Sequence, residues 1–173
     1  MIEILRKRRS VRSFLPKNIE AEKLEILKEA ALRAPTSRNI NPTEFIIVIN
    51  KSILEKLSKV KAHGAEFLSK SNVAFVVIGN TDKSDTCIED CSIASIIIQL
   101  TAESLGLGSC WAQIRLRYDE NKNLAENNVR KILNIPDNYL IESIIGIGYP
   151  ASKPKPIDYS KLQQSRIHEE SFN

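Results

Sequence analysis

The stretch RKRRSVRSF, Arg6 to Phe14, packs five cations into nine residues of a chain whose formal net charge is only +4. Guanidinium groups bind phosphate oxygens in pairs and a serine hydroxyl adds a further donor, so Arg8, Arg9, Ser10 and Arg12 have the chemistry of a clamp for one phosphate. The same cluster also suits an electrostatic footprint for nucleic acid or another anionic surface. The 25 Lys and Arg are otherwise interspersed among 21 Asp and Glu, and no nucleic-acid reader motif accompanies them.

Other reactive groups are sparse. Cys87, Cys91 and Cys110 form neither an even disulfide framework nor a paired CxxC motif, and His63 and His168 lie far from them in sequence. The cysteines read as free, mostly buried thiols, with no metal site expected. HExxH, GxSxG, the P-loop signature and a GxGxxG after a strand are all missing. No side chain offers itself as the catalytic group, so an enzyme built on this chain needs an organic cofactor.

The elements that must position these residues follow from periodicity. Ile2, Ile4 and Leu5 precede a basic end, as in a short amphipathic helix. Leu24, Leu27 and Ala31 define one face of a second helix, with Asn18 as its expected cap and Pro35 beyond its end. EFIIVIN and NVAFVVIGN read as buried strands, KSILEKLSKV between them as a surface helix. Residues 85 to 105 are too long for an ordinary strand and close on LGLG, which predicts a helix. The consecutive Ile96, Ile97 and Ile98 point most of the way around it, so it should be buried on nearly all sides, with a second subunit supplying part of the cover. SCWAQIR reads as a strand, NLAENNVRKIL as a helix and YLIESIIGIGYP as a last strand, followed by an extended tail containing ASKPKPIDY. Residues 1–173 then form one α+β domain, with no apolar run long enough to span a bilayer and no signal peptide, which points to a cytoplasmic protein.

Four segments in order, RRSVRSF, APTSRNINPTEF, EDCSIASIIIQLTAESLGLGSCW and IIGIGYPASKPKP, resemble the FMN-dependent nitroreductase family. The resemblance implies a mixed, mainly antiparallel sheet flanked by helices, with a long central helix at a homodimer interface. It implies that Arg8, Arg9, Ser10 and Arg12 hold the flavin phosphate. Pro35, Thr36, Ser37 and Asn39 match a loop that reaches the flavin from the partner subunit. Trp111, Ala112 and Gln113 would line the ring, with a backbone N–H near N5, while Lys153 and Lys155 stand where the family's tail often brings an Arg to the phosphate. The chain departs from the commoner pattern at Asn41, where Gln is usual, and at Thr43, where a large aromatic is usual.

Such a flavoprotein would take hydride from NADH or NADPH onto FMN and pass it to an electron-poor small molecule, a nitroaromatic or a quinone, by a ping-pong mechanism. Neither nucleic acid nor membrane is expected as a partner. Two alternatives stay open at this point: a flavin-binding protein without turnover, and a nucleic-acid-binding domain that uses Arg6, Lys7, Arg8, Arg9 and Arg12.

Overall fold

The computed structural model describes residues 1–172. Four strands, β1 (Thr43–Val48), β2 (Val73–Asn80), β3 (Gly108–Gln113) and β4 (Tyr139–Gly148), form a sheet in the order β1-β2-β4-β3, antiparallel at every pairing. The mixed character expected of the sheet is confined to an isolated parallel bridge between Ser10 and Ser109.

Alternation along the central strands sorts the core into two layers. Phe75, Val77, Ile145 and Ile147 face α2 (Ala21–Leu32) and α4 (Cys87–Ser104), meeting Leu27, Ala31, Ile98 and Ala102. Ala74, Val76 and Ile144 face the opposite way, onto Leu54 and Leu57 of α3 (Lys51–Leu57), Phe67 and Leu68, and Val129 of α5 (Ala125–Leu133). Period-2 alternation is what lets one strand serve two layers. β2 is buried along its whole length, as its unbroken apolar run requires of a central strand.

The helices end where local chemistry ends them. Asn50 caps α3, its side-chain oxygen accepting from the Ser52 N–H at 2.9 Å. Asn134, in the left-handed region at φ 54°, closes α5, and Pro136 follows. α4 closes with Gly106 at φ 73° and the Leu107 N–H on the Ala102 carbonyl.

Several expectations need correction. Asn18 does not cap α2; Glu20 holds that position and makes no side-chain cap bond, its carboxylate engaged by the Tyr149 hydroxyl instead. β1 is a half-buried edge strand ending at Val48, because a continuous apolar run does not distinguish an edge from a centre. β3 stops at Gln113: the Ile114 and Arg115 N–H groups both turn to the Glu142 carbonyl, at 3.1 and 3.2 Å, and leave no ladder to continue. For α4 the expectation stands open: within one protomer it is buried along one side, through Ala94, Ser95, Ile98, Gln99 and Ala102, and Ile93 and Ile96, 39% and 37% exposed, lie where a second subunit's cover is expected.

Near the N-terminus, α1 (Ile2–Lys7) carries Glu3 in its first turn and Arg6 and Lys7 in its last, which complements its dipole. Beyond β4 the tail runs over the surface, and from Ala151 to Phe172 every residue is exposed. No helix is long and apolar enough to cross a membrane among the described residues.

Candidate functional site

The basic cluster is laid out by an extended strap. Val11 and Phe14 are buried. The Val11 N–H donates to the Ser109 carbonyl at 2.9 Å and the Leu15 N–H to the Tyr149 carbonyl at 2.8 Å, stitching the strap across the ends of β3 and β4. The fit is tight: a Cβ on Gly108 would stand 2.8 Å from the Val11 side chain, so glycine is needed for the strap to lie down there. With Val11 turned inward, Ser10 and Arg12 turn together to the other side.

Ser10, Arg12 and Lys61 all act on the Cys110 thiol. Burial raises the pKa of that thiol first, and the Arg12 charge, a Ser10 hydrogen bond and the Lys61 charge each oppose the rise. Lys61 itself is held below the ordinary lysine range by partial burial and then by neighbouring Arg117. Among the described residues Arg8, Arg9, Arg12 and Lys61 belong to no ion pair, in a chain where many other cations do. The Glu66 charge reaches Lys61, but none of the four cations forms an ion pair among the described residues, and guanidinium, hydroxyl and ammonium groups are the donor set that a phosphomonoester dianion fits. Lys61 escaped the sequence reading because its place depends on a long-range contact, the Ala62 N–H on the Tyr118 carbonyl at 3.0 Å.

The tail lysines act differently from one another. Lys153 pairs with Glu103 in the last turn of α4, a carboxylate only 9% exposed. Lys155 offers its backbone carbonyl to the Arg9 guanidinium and keeps an exposed side chain. Arg9, Lys153 and Lys155 are thus tied together at the C-terminal end of α4.

β3 is an edge strand, and beyond the Ser10–Ser109 bridge no strand pairs with its outer row of peptide groups among the described residues. Ala112 is fully buried, so only its peptide groups can meet a ligand. Trp111 and Gln113 are half-buried on the α4 side, where the indole Nε1–H donates to Gln113 Oε1 at 2.8 Å. Gln113 Nε2 donates to Oε1 of buried Glu142 at 3.0 Å.

The Pro35–Asn39 loop lies elsewhere. The Ser37 N–H donates to Asp90 Oδ1 at 2.9 Å, and Arg38 pairs with Asp85, both at the N-terminal end of α4. The Asn41 N–H donates to Thr36 Oγ1 at 3.0 Å, and the Asn41 amide to the Asn39 carbonyl at 3.0 Å. Arg38, Asn39 and Asn41 all sit at positive φ, between 52° and 55°, a conformation that needs such surrounding bonds to persist. Asp90 and Glu103 are about 20 Å apart along α4 at a rise of ~1.5 Å per residue. β1, which follows the loop, and β3 are the two opposite edges of the sheet. One chain therefore gathers Arg8, Arg9, Ser10, Arg12, β3 and the tail lysines at one end of α4 and leaves Pro35, Thr36, Ser37 and Asn39 at the other.

All three cysteines are buried and free, Cys91 is pushed up to about 12 by burial, and the described residues contain no group of three or more His, Cys, Asp and Glu side chains that could hold a metal ion.

The family model described as the nitroreductase family matches residues 5–74 and 61–149. An FMN-dependent nitroreductase from Clostridium difficile R20291 is 42% identical, covers 99% of this chain and 100% of its own, and superposes with a TM-score of 0.96. A protein of Archaeoglobus fulgidus, provisionally named an NADH dehydrogenase/NAD(P)H nitroreductase, is 31% identical over 99% of this chain and 98% of its own. The NADPH:FMN oxidoreductase of Vibrio harveyi, solved with NAD+, shares the fold at a TM-score of 0.82 with 19% identity, covering 99% of this chain and 77% of its own.

Proposed function

The chain belongs to the nitroreductase family, and we propose that it is an FMN-dependent oxidoreductase working as a homodimer with two shared sites. When bound, FMN supplies the redox chemistry, accepting hydride from NADH or NADPH and passing it on to an electron-poor small molecule such as a nitroaromatic or a quinone. Arg8, Arg9, Ser10 and Arg12 would hold the phosphate, Lys61 would add charge to it, and the unpaired edge of β3, from Trp111 to Gln113, would offer its peptide groups to the ring. Arg guanidinium forks fix the phosphate in direction as well as distance, which Lys153 and Lys155, as point charges, do not.

The observation that carries this reading is the set of cations free of ion pairs beside an open strand edge. The two-chain site is supported by the separation along α4 together with its uncovered Ile93 and Ile96. In an isologous pair the Pro35–Asn39 loop of one protomer is available to the basic end of the other, and every such contact occurs twice. With no second nucleotide fingerprint, donor and acceptor share one face in turn, which is ping-pong turnover.

The visible spectrum of the purified protein tests the reading, before and after heat release of the chromophore. A yellow protein that releases FMN is expected. A colourless protein that takes up no added FMN would sink the proposal, and salt-dependent binding of DNA or RNA by such a protein would return the nucleic-acid alternative. A yellow protein that reduces no acceptor with NADH or NADPH would leave flavin binding without turnover.

A further inference from the structure

Glu142 is a buried carboxylate, 4% exposed, on β4 in the middle of the sheet. The register of β4 on β2 slips here, between Val77 and Ile78, so that Glu142 has no partner residue on β2. Beside it Ser143 bonds Ser95 of α4 at 2.9 Å, and the Glu142 charge is felt by the Cys91 thiol, which places both side chains on the α4 side of the sheet. Oε1 accepts from Gln113, while the buried Oε2 has no hydrogen-bond partner among the described residues. A buried acceptor without a donor disfavours the folded state, so the carboxylate is a poor choice for stability alone.

We infer that Glu142 is a positioning residue that sets the direction of the Gln113 side-chain amide at the strand edge where the flavin ring is placed, an inference that rests on the FMN reading above. The geometry leaves the amide one orientation. An indole N–H only donates, and a carboxylate only accepts. Gln113 Oε1 therefore faces Trp111 Nε1 at 2.8 Å, and Nε2 faces Glu142 Oε1 at 3.0 Å, with the Arg115 carbonyl near at 3.4 Å. A flipped amide would set donor against donor at one end and acceptor against acceptor at the other. A glutamine at position 142 would remove the constraint from the β4 side, because its own amide can present either a donor or an acceptor, and would leave the Trp111 N–H alone to orient Gln113. The line Glu142–Gln113–Trp111 thus runs from the centre of the sheet to its open edge and fixes the last polar side chain of β3.

The test uses Trp111 as its own reporter, since it is the only tryptophan in the chain. Glu142→Gln is expected to melt no lower than wild type, because the orphaned carboxylate oxygen is replaced by a neutral group. Its Trp111 emission should shift to the blue in the FMN-free protein, as the indole loses a fixed acceptor. Its FMN affinity should fall by between about twofold and tenfold, the range of one neutral hydrogen bond. Gln113→Met cuts the line from the other side and should reproduce the emission shift. In that background, adding Glu142→Gln should leave FMN affinity unchanged, since the two side chains act in series. Unaltered Trp111 emission in Glu142→Gln, or effects on FMN affinity that simply add in the double variant, would overturn the inference, as would a lowered melting temperature as the sole change. Should Glu142→Gln fail to fold, Gln113→Met decides by itself, unaltered emission and affinity refuting the line. Failure of the FMN reading is seen separately, on the wild type: a protein that takes up no FMN loses both readings before any variant is compared.

Discussion

The two faces of the sheet are finished to different degrees. On the α3 and α5 side, Leu54, Leu57, Val129, Ile141 and Ile144 are sealed at 0% exposure by helices of the same chain. On the α4 side the centre of the sheet is covered, but the covering helix is not, since Ile93 and Ile96 face outward and Met1, with Ile2 and Leu5 of α1, is exposed as well. α1 and α4 bound an apolar cleft of about 180 Å³ between Met1, Ile4, Ile97 and Leu100. The same apolar content has been spent in two ways, once to close a core and once to make a surface. Stability should reside mainly in the first and assembly in the second.

The largest effect should follow from charging the unfinished face. Ile93→Asp with Ile96→Asp should leave a folded chain, because neither side chain is buried within it, yet convert the proposed dimer to monomer and abolish FMN retention at both sites. Sedimentation and the visible spectrum read the two outcomes. A dimer that survives the double substitution would place the interface elsewhere. On the closed face, Leu54→Ala should cost about 2–5 kcal/mol in denaturant unfolding by leaving a cavity, without changing the oligomeric state. A matching loss of assembly would mean that the faces are not separable.

Arg12→Ala should weaken FMN binding by about 1.5–3 kcal/mol, the worth of a charge-assisted contact, and Asn39→Ala should weaken it from the far end of α4. Refolding an equal mixture of the two variants pairs them at random, so half the dimers are mixed, each with one intact site, and activity should recover to about one quarter of wild type. No recovery despite confirmed exchange would confine the site to one chain.

The smallest effect belongs to the anchor of α2. The Tyr149 hydroxyl, before any other cause, holds Glu20 at about 2, well below its ordinary 4.5, and Lys17 and Lys23 stand 4.0 and 4.9 Å from the centre of the Tyr149 ring. A lowered folded-state pKa means that this contribution is full above pH 4.5 and fades as pH falls toward 2. Tyr149→Phe should flatten the acid limb of the stability curve over that interval alone. The effect is small because the carboxylate is exposed to solvent.

The sequence made the closed features legible and the long-range ones obscure. β2 and α4 could be read because an unbroken apolar run and a length limit are local signals. The edge position of β1 could not, since nothing in EFIIVIN reports how many neighbours a strand has. The early end of β3 depended on Glu142, twenty-nine residues away, and the influence of Lys61 on Cys110 depended on a contact with Tyr118. The basic motif itself stood out because so many like charges within nine residues need a reason. The separation of its cations from the Pro35–Asn39 loop became visible only once α4 was measured from Asp90 to Glu103.

The exposed tail carries a consequence for the lifetime of the chain. From Pro156 onward every described residue is open to solvent, including Lys161 and Arg166, each followed by an apolar residue, Leu162 or Ile167. A trypsin-like protease finds both bonds accessible in the protomer, and a second subunit that covered the tail in the proposed dimer would withdraw them. The pace at which newly made chains find one another would then decide how many survive intact.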